Sequence, residues 1–435
     1  MVNHLNQVTA EASTTGRYLV LFREDAVAEG MQMLSDLANV TTSSTEFSPT
    51  SGTVLLGTLG VAVIDTDSEQ FRTLRLAAEE EGPILAIEPE RVVYALEDPY
   101  PRMMQVARSR TTLDLAPEYL AGYRDAVNQL ADHLLLLNNQ GQLITSAIDE
   151  SLTTWGLQAT KVVASRSNGN GIKVAVLDTG FDFDHPDFTG RNIISKSFIF
   201  GQEAQDGNGH GTHCIGTACG SRQPSTLPRY GIASQAEIHV GKVLSNEGSG
   251  SDGGILQGIE WAIANGCDII SMSLGAPTQP GQPFSRVYEA VAKRALNRGT
   301  LIVVAAGNDS NRDIGITNPV SHPANCPSMM AVAALNSQLQ VAPFSNGGLN
   351  LNGGQIDVAG PGVAVYSSWL LPTQYRTISG TSMATPHVAG IAALHAEASG
   401  LRGRPLWNLL VCAARRLPIS GEDVGSGLVQ APVEA

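Results

Sequence analysis

VAVLDTG, residues Val174–Gly180, reads as a buried strand that ends by delivering a carboxylate, Asp178, to its carboxyl edge. The chain holds a near twin, VAVIDTD at Val61–Asp67. Their downstream neighbours separate the two words. Behind the twin the pattern turns helical at Ser68, and Asp65 has the common role of an acid that caps or precedes a helix. Behind Gly180 come FDFDHPDF and then GNGHGTHCIGTACG, Gly207–Gly220. Short β-rich runs (IKVAVLDT, EIHVGKVL, DIISMSL, LIVVAAG, MMAVAAL, IDVAG) alternate there with helical stretches such as GILQGIEWAIANG and RVYEAVAKRALNRG. Near-continuous apolar strands separated by helices imply an α/β fold, a parallel sheet with helices on both faces. In such open sheets, functional groups gather beyond the carboxyl ends of the strands.

Upstream the pattern differs. After a disordered start over 1–16, residues 17–97 read as a small α+β unit. RYLVLF is a strand, Glu24–Val40 has helical spacing, and another strand falls within Thr45–Gly57. LGVAVIDT, SEQFRTLRLAAEEE and PILAIEPERVVYAL add a strand, a helix and a closing strand. This order fits a βαββαβ, ferredoxin-like sheet. A break at Glu97–Pro101 opens a connector over 98–154. In it Leu120, Tyr123, Val127, Leu130, Leu134 and Leu137 form one apolar helical seam, read as docking on a neighbouring domain. The α/β domain then occupies 155–435.

Length and composition agree with two globular domains: 435 residues, 43% of them hydrophobic. A net charge of −14 argues against a nucleic-acid partner. No run approaches the ~18 apolar residues of a membrane span. The start shows no basic segment followed by an apolar one, so no secretory leader is read there. Five cysteines at scattered positions fit neither a disulfide framework nor a zinc site. The expected location is therefore cytoplasmic rather than secreted.

A third motif, SGTSMATPHVAG at Ser379–Gly390, completes a set. Asp178, His210 and Ser382 occur in the order Asp, His, Ser, each flanked by glycine or small residues. From about Gly171 to Ala431 the chain resembles the subtilisin-like serine peptidases, which carry their catalytic groups in this order. The resemblance implies Ser382 as nucleophile, His210 as its base and Asp178 as the group that holds the imidazole. Ser382 should open a helix whose N-terminal N–H groups favour an oxyanion, and Pro386 suits a first helical turn, where N–H groups lack partners. Asn308, in VVAAGNDS, matches the family's second oxyanion donor beside Ser382. No cofactor is required for this chemistry.

By the same matching, Gly248-Ser249-Gly250 and Ser273-Leu274-Gly275 are the edge segments between which a peptide or protein substrate lies as an added strand. Ala305, Ala306, Gly307 and Ser321 line a roomy, mostly uncharged pocket for the residue before the scissile bond. Asp252 falls near the rim of a more distant subsite, where it either selects a basic residue or is a solvated loop carboxylate. His213 is read as a structural histidine and not half of a metal pair, since a third ligand is missing. Cys214 comes next, as in the proteinase K-like branch, with a free thiol beneath the catalytic histidine. Asp187 matches a carboxylate that binds calcium in many subtilisins. Its partner loop, SRQPSTLPRY, offers no Asp or Asn, which leaves structural calcium open.

The unit over 17–97 resembles the inhibitor-like prodomain of these peptidases, an inhibitor in cis whose closing tail enters the cleft. Self-cleavage would then fall after Tyr94, before about Asn170. Two alternatives stand beside a self-processing endopeptidase: a zymogen-like processing protease released by a partner, and a peptide-binding pseudoenzyme.

Overall fold

The computed structural model describes residues 13–38, 53–66, 71–72, 74–75, 82–96, 148–350 and 352–433. Residues 1–99 and 151–435 gather into one compact unit, and 100–150 into another. The connector helix expected over 120–137 lies outside the described residues, as does most of the second N-terminal helix.

The N-terminal part builds β1 (Thr14–Phe22), α1 (Val27–Ala38), β2 (Val54–Leu56), β3 (Val61–Ile64) and β4 (Ile84–Ala95). All pairings are antiparallel, in the order β4-β1-β3-β2. Side chains alternate across a strand, and here both faces are used. Val20, Phe22, Ala62 and Ile64 pack with Leu34 of α1, while Leu19, Leu21, Val61 and Val63 point into the main core. The apolar part of that word, Val61–Ile64, is thus a strand of this sheet, covered on two sides.

The larger part runs α2 (Trp155–Ala159), β5 (Lys173–Asp178), β6 (Ile193–Ser197), α3 (His210–Cys219), β7 (Glu237–Lys242), β8 (Ser249–Ser251), α4 (Asp252–Ala264), β9 (Ile269–Met272) and β10 (Leu274–Gly275). It continues through α5 (Arg286–Asn297), β11 (Leu301–Ala305), β12 (Met330–Leu335), β13 (Val358–Pro361), β14 (Val365–Ser368), β15 (Tyr375–Ile378), α6 (Thr381–Ser399) and α7 (Gly403–Ala413). Seven strands form the expected parallel sheet, ordered β13-β12-β11-β9-β5-β7-β6. β5 is where the winding reverses: β6 and β7 lie on one side of it, β9 and later strands on the other. A crevice opens at such a point, beyond the strand ends, and Asp178 is the last residue of β5.

α6 and α3 cover one face of this sheet, α4 and α5 the other. On α4 the residues Ile255, Leu256, Ile259 and Ala262, and on α5 Val287, Val291 and Ala295, repeat at helical spacing and share one core with β1 and β3. Two carboxylates of β4 finish these helices. Glu90 accepts from Gly253 N at 2.9 Å, and Glu88 accepts from Arg286 N and Ser285 Oγ at 2.6 Å each. The first N–H groups of a helix have no partner within it and its N-terminus favours negative charge, so both contacts stabilise the docked arrangement. Arg294 of α5 reaches the other way, donating to the carbonyl oxygens of Leu59 and, at 3.0 Å, Phe22.

Arg294→Ala would leave those two buried carbonyls without a donor, at about 1–3 kcal/mol for each. In a Ser382→Ala chain we expect a lower unfolding midpoint and faster proteolysis around residues 53–66; unchanged values of both would contradict this docking.

Candidate active site

β5 ends at Asp178 and α3 begins at His210, and a small network sets their distance. Asp206 accepts from Gly209 N at 3.0 Å and Thr212 N at 3.0 Å, closing the start of α3. Thr179, next to Asp178, donates to Asp206 at 3.0 Å and accepts from Gly211 N at 2.8 Å. Strand end and helix start are thereby tied, and His210 Nδ1 lies 2.8 Å from Asp178 Oδ1. Burial is the largest single influence on His210 and disfavours the imidazolium, yet the Asp178 carboxylate and the Cys214 sulfur together outweigh it and hold its pKa well above 6.5. His210 Nε2 is buried with no hydrogen-bond partner among the described residues.

Ser382 is the second residue of α6, so its N–H is among those with no acceptor within the helix. Its hydroxyl is not bonded to His210. It donates instead to carbonyl oxygens, that of Leu96 at 3.1 Å or of Ser273 at 3.2 Å. Pro386 departs from expectation as well, because it lies one turn into α6 and not in its first turn. A proline there cannot bond the carbonyl four residues back. That carbonyl, of Ser382, accepts from Ser273 Oγ at 2.8 Å and Cys214 Sγ at 3.6 Å. Cys214 Sγ is also 4.0 Å from His210 Nδ1, and burial raises its thiol pKa. Asp178, His210 and Cys214 converge, while His213 is turned away, bonded to the carbonyl oxygens of Val365 at 3.0 Å and Arg376 at 3.2 Å.

Asn308 lies just beyond β11. Its Oδ1 accepts from Thr381 N at 2.9 Å and Thr381 Oγ1 at 2.8 Å, which fixes the amide so that Nδ2 donates to Leu96 O at 3.2 Å. Gly380 leaves room for this contact: a methyl group in its place would crowd Asn308 Nδ2 at 3.0 Å and touch Leu96 O at 3.4 Å. The Leu96 carbonyl is therefore held by two donors, Asn308 and Ser382.

Leu96 arrives there because β4 continues as an added strand. It pairs antiparallel with β8 (Val92 with Ser251, Val93 with Gly250, Tyr94 with Ser249) and with β10 (Leu274 with Ala95, Gly275 with Tyr94). Gly248 O accepts from Ala95 N at 2.8 Å. Both edge segments named from the sequence thus flank a strand of the chain itself. Below them Ala305, Ala306, Gly307 and Ser321 are buried. Gly307 packs against Ser321 and Asn346, and Asn346 Nδ2 bonds Ser321 Oγ at 3.2 Å and Asp309 Oδ2 at 3.1 Å. The reading of a mostly uncharged pocket overlooked Asp309, whose carboxylate also accepts from Ser321 Oγ at 3.2 Å. Leu96, Asp206 and Asn346 were missed too. None sits in a telling motif, and only the fold brings them near.

Calcium at Asp187 does not fit. A calcium ion needs oxygen lone pairs, and what meets this carboxylate is protons. Ser225 N at 2.6 Å and Ser225 Oγ at 2.7 Å reach Oδ1, while the hydroxyls of Tyr230 at 2.5 Å and Tyr375 at 3.0 Å reach Oδ2. Burial alone would raise the Asp187 pKa, but these bonds together lower it. The adjoining cavity is lined by Arg191 and Arg222, further opposing a cation. In a Ser382→Ala chain, Asp187→Asn should lower Tm equally in millimolar calcium and in excess chelator. An ion bound here at 100 times its Kd would add about 2.7 kcal/mol to the parent chain alone.

The cysteines are all unbridged, and among the described residues no helix is long and apolar enough to cross a membrane. Residues 169–427 match the family model described as Subtilase family. The chain is 40% identical over 243 residues to Subtilisin of Bacillus pumilus, covering 55% of this chain and 83% of that one. It is 40% identical over 244 residues to Subtilisin Savinase of Lederbergia lenta, covering 55% and 82%. Against Subtilisin E of Bacillus subtilis (strain 168) the identity is 40% over 243 residues, and the match spans 60% of that protein's length. With more than half of its length inside the family model and this arrangement of Asp178, His210 and Ser382, the chain belongs to the subtilase family.

Proposed function

We propose that the chain is a serine endopeptidase precursor that cleaves itself between Leu96 and Glu97 and is then inhibited by its own N-terminal unit. The observation that carries this reading is the Leu96 carbonyl, 3.1 Å from Ser382 Oγ and 3.2 Å from Asn308 Nδ2 at the end of an added strand. A pseudoenzyme that only binds peptides has no use for this convergence.

In the reaction, the Ser382 hydroxyl turns from its carbonyl acceptors toward His210 Nε2, whose empty acceptor position suits that proton. The oxygen attacks the Leu96 carbonyl carbon, and Asn308 Nδ2 with the Ser382 N–H stabilises the negative charge that forms on oxygen. Asp178 holds the imidazole and stabilises its charged form. The Leu96–Glu97 bond breaks as His210 returns the proton to the departing amine. Water, activated by the same imidazole, then releases Leu96 from the serine ester. The N-terminal unit stays held by Glu88, Glu90 and Arg294 after the bond is cut, so activity on other peptides requires its removal. Unbridged cysteines support a reducing compartment for this enzyme.

Mass spectrometry of purified protein should find a new N-terminus at Glu97, with Ser382→Ala remaining whole. An intact wild-type chain that also resists a serine-directed fluorophosphonate would overturn the proposal. On peptide substrates, Asn308→Ala should lower kcat about 10²–10³-fold and Asp178→Asn about 10⁴-fold. Only neutral His210 can take the proton, so kcat/KM should be lost as pH falls through its raised pKa. The acid limb should thus lie above pH 6.5, and its appearance below that value would contradict the role given to Asp178.

A further inference from the structure

Asp252 is the first residue of α4, and its carboxylate is fully buried, which removes the reading of a solvated loop acid. An acid at that position usually serves its own helix. Here the helix's first N–H groups are taken by others: Gly253 N goes to Glu90 and Gly254 N to Ser251 Oγ. The partners of Asp252 lie elsewhere. His322 Nε2 is 2.8 Å from Oδ1, and the edge of Tyr288 packs against the His322 ring with centroids 4.7 Å apart. Oδ2 faces β4, where it accepts from Arg91 N at 2.9 Å and has Arg91 Nη1 at 3.6 Å.

Counting Leu96 as the first residue before the scissile bond, Arg91 is the sixth. A substrate lying in the register of β4 would place its own sixth residue over Asp252. The second carboxylate beside the Arg91 guanidinium, Glu88 at 3.8 Å, belongs to β4 and leaves with it. Asp252 is then the anion the enzyme itself retains at this position. We propose that Asp252, positioned by His322, is a specificity residue that selects arginine or lysine at the sixth residue before the bond. This rests on the endopeptidase reading above. The backbone N–H bond to Oδ2 is common to every peptide, so the preference comes from the side chain alone, a charged contact to a carboxylate that His322 holds in place.

The test uses the self-processed enzyme, freed of its N-terminal unit, on internally quenched peptides that differ only at this position. With arginine there, kcat/KM should exceed that of the uncharged isostere citrulline about five- to tenfold, and glutamate should fall below both. The arginine-to-citrulline ratio should shrink on going from low to high salt. Asp252→Asn should bring it within about twofold, whatever its effect on the absolute rates. Equal rates for arginine and citrulline in the wild type, or a ratio that survives Asp252→Asn, would overturn the subsite and leave the endopeptidase reading intact. Failure to cut any of the peptides would overturn both.

Discussion

β4 is one strand with two sets of partners, and the site depends on where it stops. Its early residues pair with β1, its late residues with β8 and β10. A strand advances by about 3.3 Å per residue and turns every second side chain to the same face. A slip of one residue would put Tyr94 or Ala95 where their neighbours belong and carry the Leu96 carbonyl away from Asn308. Register is held at several points. Glu88 and Glu90, two apart, meet the ends of two helices. Around Glu90 the pairing with β1 shifts, between Tyr18 opposite Pro89 and Thr14 opposite Arg91. Buried positions accordingly change from Ala86 and Glu90 to Val93 and Ala95. The irregularity lets neighbouring residues Glu90 and Arg91 both address the start of α4.

The electrostatics of α3 show how one partner decides the behaviour of a group. His210 and His213 share a helix and are both buried. Burial acts on both in the same direction, against the charged imidazolium. At His213 it prevails, and the pKa falls to about 3, since two carbonyl oxygens offer only weak compensation. At His210 a carboxylate at 2.8 Å reverses the sign. The motif HGTH therefore contains one histidine whose charged form is favoured by a neighbouring carboxylate and one locked neutral as a brace for β14 and β15.

This contrast also marks what the sequence could carry. The parallel sheet was legible because buried strands are written as uninterrupted apolar runs. Asp178, His210 and Ser382 stood out through three motifs whose order resembles that of a known family, and Asn308 through a match to the same family; no local pattern alone singled them out. The difference between VAVLDTG and VAVIDTD was legible only in the residues downstream of each. Asp206, Leu96, Asn346 and the Asp252–His322 pair depend on distances between segments far apart in the chain, and nothing in their immediate neighbours announces them. The closure of Asp187 by Ser225, Tyr230 and Tyr375 is of the same kind. The loop's lack of Asp and Asn was visible, but three hydroxyls converging on one carboxylate was not.

Pro386 joins these levels. Placed in the first turn of α6 it would cost nothing and do nothing; one turn later it strips the Ser382 carbonyl of its helical donor. An unpaired carbonyl in so buried a place costs about 1–3 kcal/mol. Ser273, leaving β9, and Cys214, on α3 beneath His210, supply donors from two other elements. The helix bearing Ser382 is thereby fastened to the helix bearing His210 and to the segment that pairs with β4. A bond missing from a helix becomes the point at which three parts of the site are held in common alignment.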